Sequence, residues 1–165
     1  MKEQIINRRF LLLCVLFIGI SLLSVSCSRS AVYDKYQTIN NSRWEKDAEY
    51  YFTFEITDIT VPYDLTLEVR NNSFYPFQNL WLFSNEENGN GSVRRDTFEL
   101  LLADDFGKWH GKGISIFQLG VPLYKQYYFP EEGEYTIGFR QGMRQDELPG
   151  IQGIGLRVEK AQGAF

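Results

Sequence analysis

The sequence predicts an all-β domain, a two-sheet antiparallel sandwich of jelly-roll type, placed after a cleaved export signal and a short tether. Three observations carry the β assignment. Short segments alternate apolar and polar residues with a period of two. Clusters of Gly, Pro, Asn and Asp punctuate them at fairly regular intervals. Aromatic residues make up 16% of the chain, and most of these are Phe and Tyr, which favour strands. No segment of the mature region has a convincing helical period, and no internal repeat is present. A closed barrel is the alternative, but long and glycine-rich loops suit Greek-key crossings and favour the jelly roll.

The first segment is an export signal. Lys2, Arg8 and Arg9 precede an apolar run from Phe10 to Leu23, and the small residues Ser24 and Ser26 lead into Cys27. The run falls short of the roughly 20 residues that span a bilayer, which argues against the alternative of an uncleaved membrane helix. A cleavage point ending at a cysteine resembles the signal of a bacterial lipoprotein. Residues 1–26 then form the signal peptide, and Cys27 becomes the acylated first residue of the mature protein. The usual leucine three places before the cysteine is Ser24 here, with Leu23 one place further back.

Removing 26 of the 165 residues leaves 139, the size of one domain. Of the two cysteines, Cys14 lies in the signal and Cys27 is the lipid site, so the mature domain has neither a disulfide nor a cysteine zinc site. The chain carries a net charge of −4, and the signal holds a surplus of two positive charges, so the mature part is more acidic still. That balance disfavours nucleic acid as a partner.

Residues 27–43 read as the lipidated cysteine and a polar tether, with ordering expected only near Tyr33 and Tyr36. The sandwich is expected over 44–160, beginning at Trp44. Phe52, Phe54 and Ile56 share one face of a strand, and Leu65, Leu67 and Val69 one face of the next. Asn79–Phe83 is a short strand apolar on both faces, which places Trp81 inside. Asn85–Ser92 reads as a flexible hairpin loop, after which Phe98, Leu100 and Leu102 alternate in a returning strand. Ile114–Leu119 and Leu123–Phe129 read as separate strands, divided by Gly120 and Pro122. Tyr135, Ile137 and Phe139, then Ile154, Leu156 and Val158, complete the alternating set, and residues 161–165 are expected to fray.

Six segments carry a family resemblance: Cys27 after its leader, Tyr75–Leu80 (YPFQNL), Asp96–Glu99, Leu102–Asp104, Gly107–Gly113 (GKWHGKG) and Leu148–Arg157 (LPGIQGIGLR). In order and spacing they resemble the gliding-motility-associated lipoprotein family GldH of the Bacteroidetes. The resemblance implies an envelope lipoprotein needed for surface gliding in motile relatives, where gliding is linked to an outer-membrane secretion machine. It brings no catalytic residues and no cofactor. His110 departs from the family pattern, in which an apolar residue is common. Ser28 is not the Asp that retains enterobacterial lipoproteins at the inner membrane, and Arg29-Ser30-Ala31 is not an acidic surface-export run. The expected location is therefore the cell envelope, lipid-anchored at the outer membrane and facing the periplasm.

Asp96, Asp104 and Asp105 lack the EF-hand spacing for calcium, and Asp seeds turns with its own side chain. His110 has no G-x-S-x-G nucleophile and no cysteine to activate, so a hydrolase would need converging carboxylates in a cleft. Tyr75, Trp81 and Trp109 could form an aromatic platform for sugar rings, the basis of the alternative reading as a carbohydrate- or ligand-binding envelope lipoprotein. The leading expectation is a non-enzymatic subunit that holds protein partners in the envelope through Asp104, Asp105, Trp109 and His110. Trp109 is open between two roles, an interface anchor or a plug of the core.

Overall fold

The computed structural model describes residues 31–161. In chain order the strands are β1 (Tyr33–Thr38), β2 (Arg43–Glu45), β3 (Glu49–Ile56), β4 (Tyr63–Asn72), β5 (Asn79–Asn88), β6 (Val93–Leu101), β7 (Ile116–Tyr127), β8 (Gly133–Gln141), β9 (Glu147–Pro149) and β10 (Ile151–Lys160). The first sheet has the order β1-β10-β4-β7, the second β3-β8-β5-β6, and β2 pairs with β9 in a short ribbon. Every pairing is antiparallel. If only the eight long strands are numbered, the two sheets read 1-8-3-6 and 2-7-4-5. The last strand lies beside the first, and every connection except the β5–β6 hairpin crosses between sheets. That is the double Greek key of a jelly roll, as the sequence predicts.

Alternation explains the layers. In β4 every second residue from Tyr63 to Asn71 is buried, because period-two side chains on one face meet the opposing sheet. The six core residues that best fit the alternating pattern, Phe54, Leu67, Leu100, Ile137, Phe139 and Leu156, are all buried. The β2–β9 ribbon covers one end of this core with Trp44 and Leu148, both fully buried, and the Trp44 indole donates to the Ala48 carbonyl at 3.0 Å.

The jelly roll has two ends. Residue 31 enters at one, which we term the entry end, together with the β3–β4, β5–β6 and β7–β8 connections. The connections 39–48, 73–78, 102–115 and 142–150 gather at the far end.

Four sequence expectations differ from the structure. Strand β1 lies inside the segment assigned to the tether, so the domain begins well before Trp44. Its pattern was obscured because Lys35 and Gln37 occupy the inward side of an edge strand, where polar groups still reach solvent or backbone; Gln37 reaches the Tyr51 carbonyl. Trp81 is 39% exposed, since the inward positions of β5 are Leu80, Leu82, Ser84 and Glu86. Residues 85–88 extend β5 by pairing with β6 and β8, so the hairpin loop shrinks to 89–92. Gly120 and Pro122 do not divide β7. β7 is an edge strand, where a proline needs no ladder partner for its missing N–H. The frayed terminus expected at 161–165 falls outside the described residues from 162 onward.

Candidate partner-binding site

The segment from Asp104 to Gly113 is held at the far end by a set of backbone hydrogen bonds. The amides of Leu102 and Ala103 both donate to the Gln78 carbonyl, at 2.7 and 3.0 Å. Asp104 then closes a tight loop. Its carboxylate accepts from the Phe106 and Lys108 amides at 3.0 and 2.9 Å, while its own amide donates to the Lys108 carbonyl at 3.0 Å. Gly107 supplies the positive φ of 79° that this loop requires. The bond from the Lys108 amide is the main reason the Asp104 carboxyl lies below its ordinary pKa. Asp104 is therefore a turn-former, and Asp96 is not its neighbour: Asp96 accepts from the Tyr124 hydroxyl and pairs with Arg94 at 2.9 Å. Among the described residues no group of three or more His, Cys, Asp or Glu side chains converges on a metal position.

Beyond the loop the chain doubles back. Ala103 and Trp109 form an antiparallel bridge, and the His110 amide donates to the Leu102 carbonyl at 2.8 Å. The Trp109 ring turns toward the body of the domain. It stacks on Phe117, with centroids 5.8 Å apart, and lies 6.5 Å from Tyr75. Tyr75 is buried, its hydroxyl donates to the Asn79 carbonyl at 2.7 Å, and burial raises its pKa well above the ordinary value. Asp104, Asp105 and His110 face the other way and line a cavity of about 690 Å³ with Phe77, Gln78 and Asn79. No Ser, Thr or Cys lines it, so His110 has no nucleophile to activate there.

Of the four residues singled out from the sequence, three thus share one cavity, and Trp109 packs behind them, half-buried. The aromatic platform does not assemble. Tyr75 is buried, Trp109 is turned inward, and Trp81 stands on the outer face of the other sheet beside Phe83. The residue that sequence reasoning passed over is Phe106. It sits at the tip of the Asp104 loop and is 95% exposed. The signal was available: a phenylalanine between Asp-Asp and Gly-Lys lies in a turn and has no strand face on which to hide.

The model of the family described as GldH lipoprotein matches residues 31–158, nearly the whole described domain. The chain belongs to the GldH lipoprotein family. A gliding motility lipoprotein GldH homolog from Christiangramia forsetii is 34% identical over 154 residues, covering 88% of this chain and 94% of that protein. The gliding motility lipoprotein GldH of Flavobacterium johnsoniae is 30% identical over 147 residues, covering 85% and 91%. Membership makes this GldH-family chain a membrane-anchored lipoprotein of the cell envelope. Cys27, the lipid site expected from the sequence, lies outside the described residues. Among solved structures, Pseudomonas aeruginosa AlgX aligns with a TM-score of 0.40 at 12% identity, over 82% of this chain and 27% of AlgX. The Yersinia pseudotuberculosis-derived mitogen aligns with a TM-score of 0.35 at 6% identity, over 81% and 90%.

Proposed function

We propose that this GldH-family domain is a non-enzymatic accessory subunit of the gliding-motility apparatus or its linked secretion machine, which it serves by holding a protein partner. The observation that carries the reading is the exposed Phe106 on a loop pinned by backbone hydrogen bonds. An apolar ring held out in solvent on a rigid support loses little entropy on docking, which suits it to anchor an interface. Segments Tyr75–Leu80, Leu102–Asp104 and Gly107–Gly113, on which the family resemblance rests, meet beside it at the far end.

A photo-crosslinker placed at Phe106 in the native cell, read by mass spectrometry, is expected to capture a component of the envelope machinery. Phe106→Asp is expected to weaken co-purification of the captured partner with the domain by about 2 kcal/mol or more, in the range of interface hot spots, with no change in melting temperature. Unchanged recovery together with unchanged motility or secretion would remove Phe106 from the interface. On this proposal the anchor is Cys27, at the outer membrane and facing the periplasm. Cys27→Ala should abolish metabolic palmitate labelling, and a persistent label would place the lipid elsewhere. Two or more acyl chains hold a protein firmly, so the native form should resist a salt wash.

The second reading, a carbohydrate-binding lipoprotein, is favoured by one feature of the other face: Tyr51, Trp81 and Phe83 are exposed on the outer side of the second sheet, at 56%, 39% and 41%. Arg140 lies 5.7 Å from the Phe83 ring centroid. Binding of neutral glycans lost in Trp81→Ala, with the Phe106 crosslink intact, would support it over the first.

A further inference from the structure

The outer face of the first sheet carries a single row of residues in register across four strands and onto the loop beyond. Thr38 pairs with Gly153, Gly153 with Arg70, Arg70 with Gln118, and Gln118 with Lys112. Residues directly opposite one another in antiparallel pairs point to the same face. The Arg70 and Lys112 backbones stand two strands apart, roughly 10 Å. Both side chains are long enough to meet above Gln118.

This row floors a cavity of about 590 Å³ walled by Ile39, Asn41 and Ile116. That volume lies within the range of small-molecule sites. Its lining holds two cations and several amides and hydroxyls, but no carboxylate, on a domain that is acidic overall. Neither Arg70 nor Lys112 makes an ion pair with a described residue. Arg70 Nε donates to Gln118 Oε1 at 2.9 Å, and Gln118 Nε2 donates to Glu68, one row away, so the glutamine bridges the two.

The site is built, not incidental. Lys112 is locked to Gln118 by two backbone hydrogen bonds of 2.9 and 3.0 Å. Gly113, on one side of the lysine, leaves no room for a side chain, since a Cβ there would lie 1.7 Å from the Ile116 carbonyl oxygen. On the opposite wall the Tyr36 ring lies flat across Gly153 and Gly155. A Cβ on Gly153 would come within 2.4 Å of the Tyr36 hydroxyl oxygen, and one on Gly155 within 2.9 Å of the ring. Arg70 sits 4.0 Å above that ring. The Tyr36 hydroxyl is buried beside the Arg70 guanidinium, which can only donate to it, and no described residue accepts its proton. A buried donor without an acceptor costs a fold stability and is retained only where something else compensates.

We propose that Arg70, Lys112, Gln118 and Tyr36 form a binding site for an oxyanion, a carboxylate or a phosphate, carried on a hydroxyl-rich body of about sugar size. Arg70 and Lys112 hold the oxyanion by charge-assisted hydrogen bonds. Asn41 and Gln152 bind hydroxyls. The site shares no lining residue with the Asp104–His110 cavity and lies on the sheet opposite Trp81, so it stands apart from both readings of the function.

The test is calorimetric titration of the full-length lipoprotein in neutral detergent with four probes: glucuronate, glucose 1-phosphate, glucose and inorganic phosphate. Saturable binding of glucuronate or glucose 1-phosphate, with none by glucose, is the expected result, and which of the two binds more tightly names the oxyanion. Lys112→Gln should weaken that binding about tenfold or more, as expected for loss of a hydrogen bond to a charged group. Tyr36→Phe should also weaken it without lowering the melting temperature, which separates a ligand role from a structural one. The proposal is overturned by no binding of either anionic sugar, by equal binding of glucose, by inorganic phosphate binding as tightly as glucose 1-phosphate, or by binding that Lys112→Gln leaves unchanged. None of these outcomes alters the Phe106 crosslink, so failure here and failure of the partner reading are distinguishable.

Discussion

Phe129 and Phe106 are the same side chain in the same kind of inter-sheet connection, at opposite ends of the sandwich. At the entry end Phe129 is 2% exposed and makes ring contacts with Phe54, Tyr63, Tyr127 and Tyr135, at centroid distances from 4.6 to 6.0 Å. At the far end Phe106 is 95% exposed. The entry end turns Phe129 inward to close the core, while its neighbour Tyr128 stays exposed. The far end closes its core with Trp44, Tyr75 and Leu148 instead, leaving its longest loop free to present an apolar residue outward. The difference separates residues that hold the fold from residues available for contact, although composition treats them alike.

That contrast is open to breakage at several points. The largest expected effect is at Phe129: substitution by Ala should cost about 3–5 kcal/mol in chemical denaturation, as for a fully buried phenylalanine. A loss of less than 1 kcal/mol would mean that the aromatic cluster does not close the entry end. Trp109 comes next, because it is half-buried and stacks on one face only. Trp109→Ala should cost about 2 kcal/mol, less than a core aromatic and more than a surface residue. A cost near that of Phe129 would make it a plug of the core, and no cost would make it wholly an interface residue. The smallest effect is at an exposed pair of the entry end. Lys160 donates to the Asp58 carboxylate at 2.7 Å, and this bond, with two from Thr60, lowers the Asp58 pKa to about 2. The folded state therefore holds that proton more weakly than the unfolded chain. The contribution is present above about pH 4, where the unfolded carboxylate is already ionised, and is lost as pH falls through about 2. Lys160→Ala should lower the urea midpoint slightly at pH 7 and by much less at pH 1.5. An equal loss at both would assign the effect to packing of the lysine stem.

The layers of the fold were legible wherever one face of a strand meets the core and the other meets water. Leu65, Leu67 and Val69, or Tyr135, Ile137 and Phe139, state their own orientation. The edge strands were harder to read. β1 hides behind Lys35 and Gln37, and β7 runs on through Gly120 and Pro122, because an edge tolerates polar and ring-locked residues that a central strand does not. Trp81 was misplaced because a strand apolar on both faces carries no period to decide between them. At the candidate site, the sequence identified the segment and the turn role of Asp104, but not which aromatic points outward. That depends on the Ala103–Trp109 bridge, a pairing that reverses the chain within a few residues. The Arg70–Gln118–Lys112 row was invisible, since register across two strands and a loop is a tertiary property.

Strand β1 has a mechanical consequence. It enters the sandwich at residue 31, runs toward the far end, and pairs along its whole length with β10, from Tyr33 opposite Val158 to Thr38 opposite Gly153. Antiparallel hydrogen bonds lie perpendicular to the strand. When a leash pulls on residue 31 while a partner grips the far end, the force runs along β1, and its ladder is loaded in shear, all bonds together. A grip at the entry end would instead peel the same bonds one at a time, at far lower force. Resistance to pulling is a matter of unfolding rate, not of equilibrium stability. If the proposed partner grips Phe106, a domain anchored ahead of residue 31 bears that tension along the full length of β1.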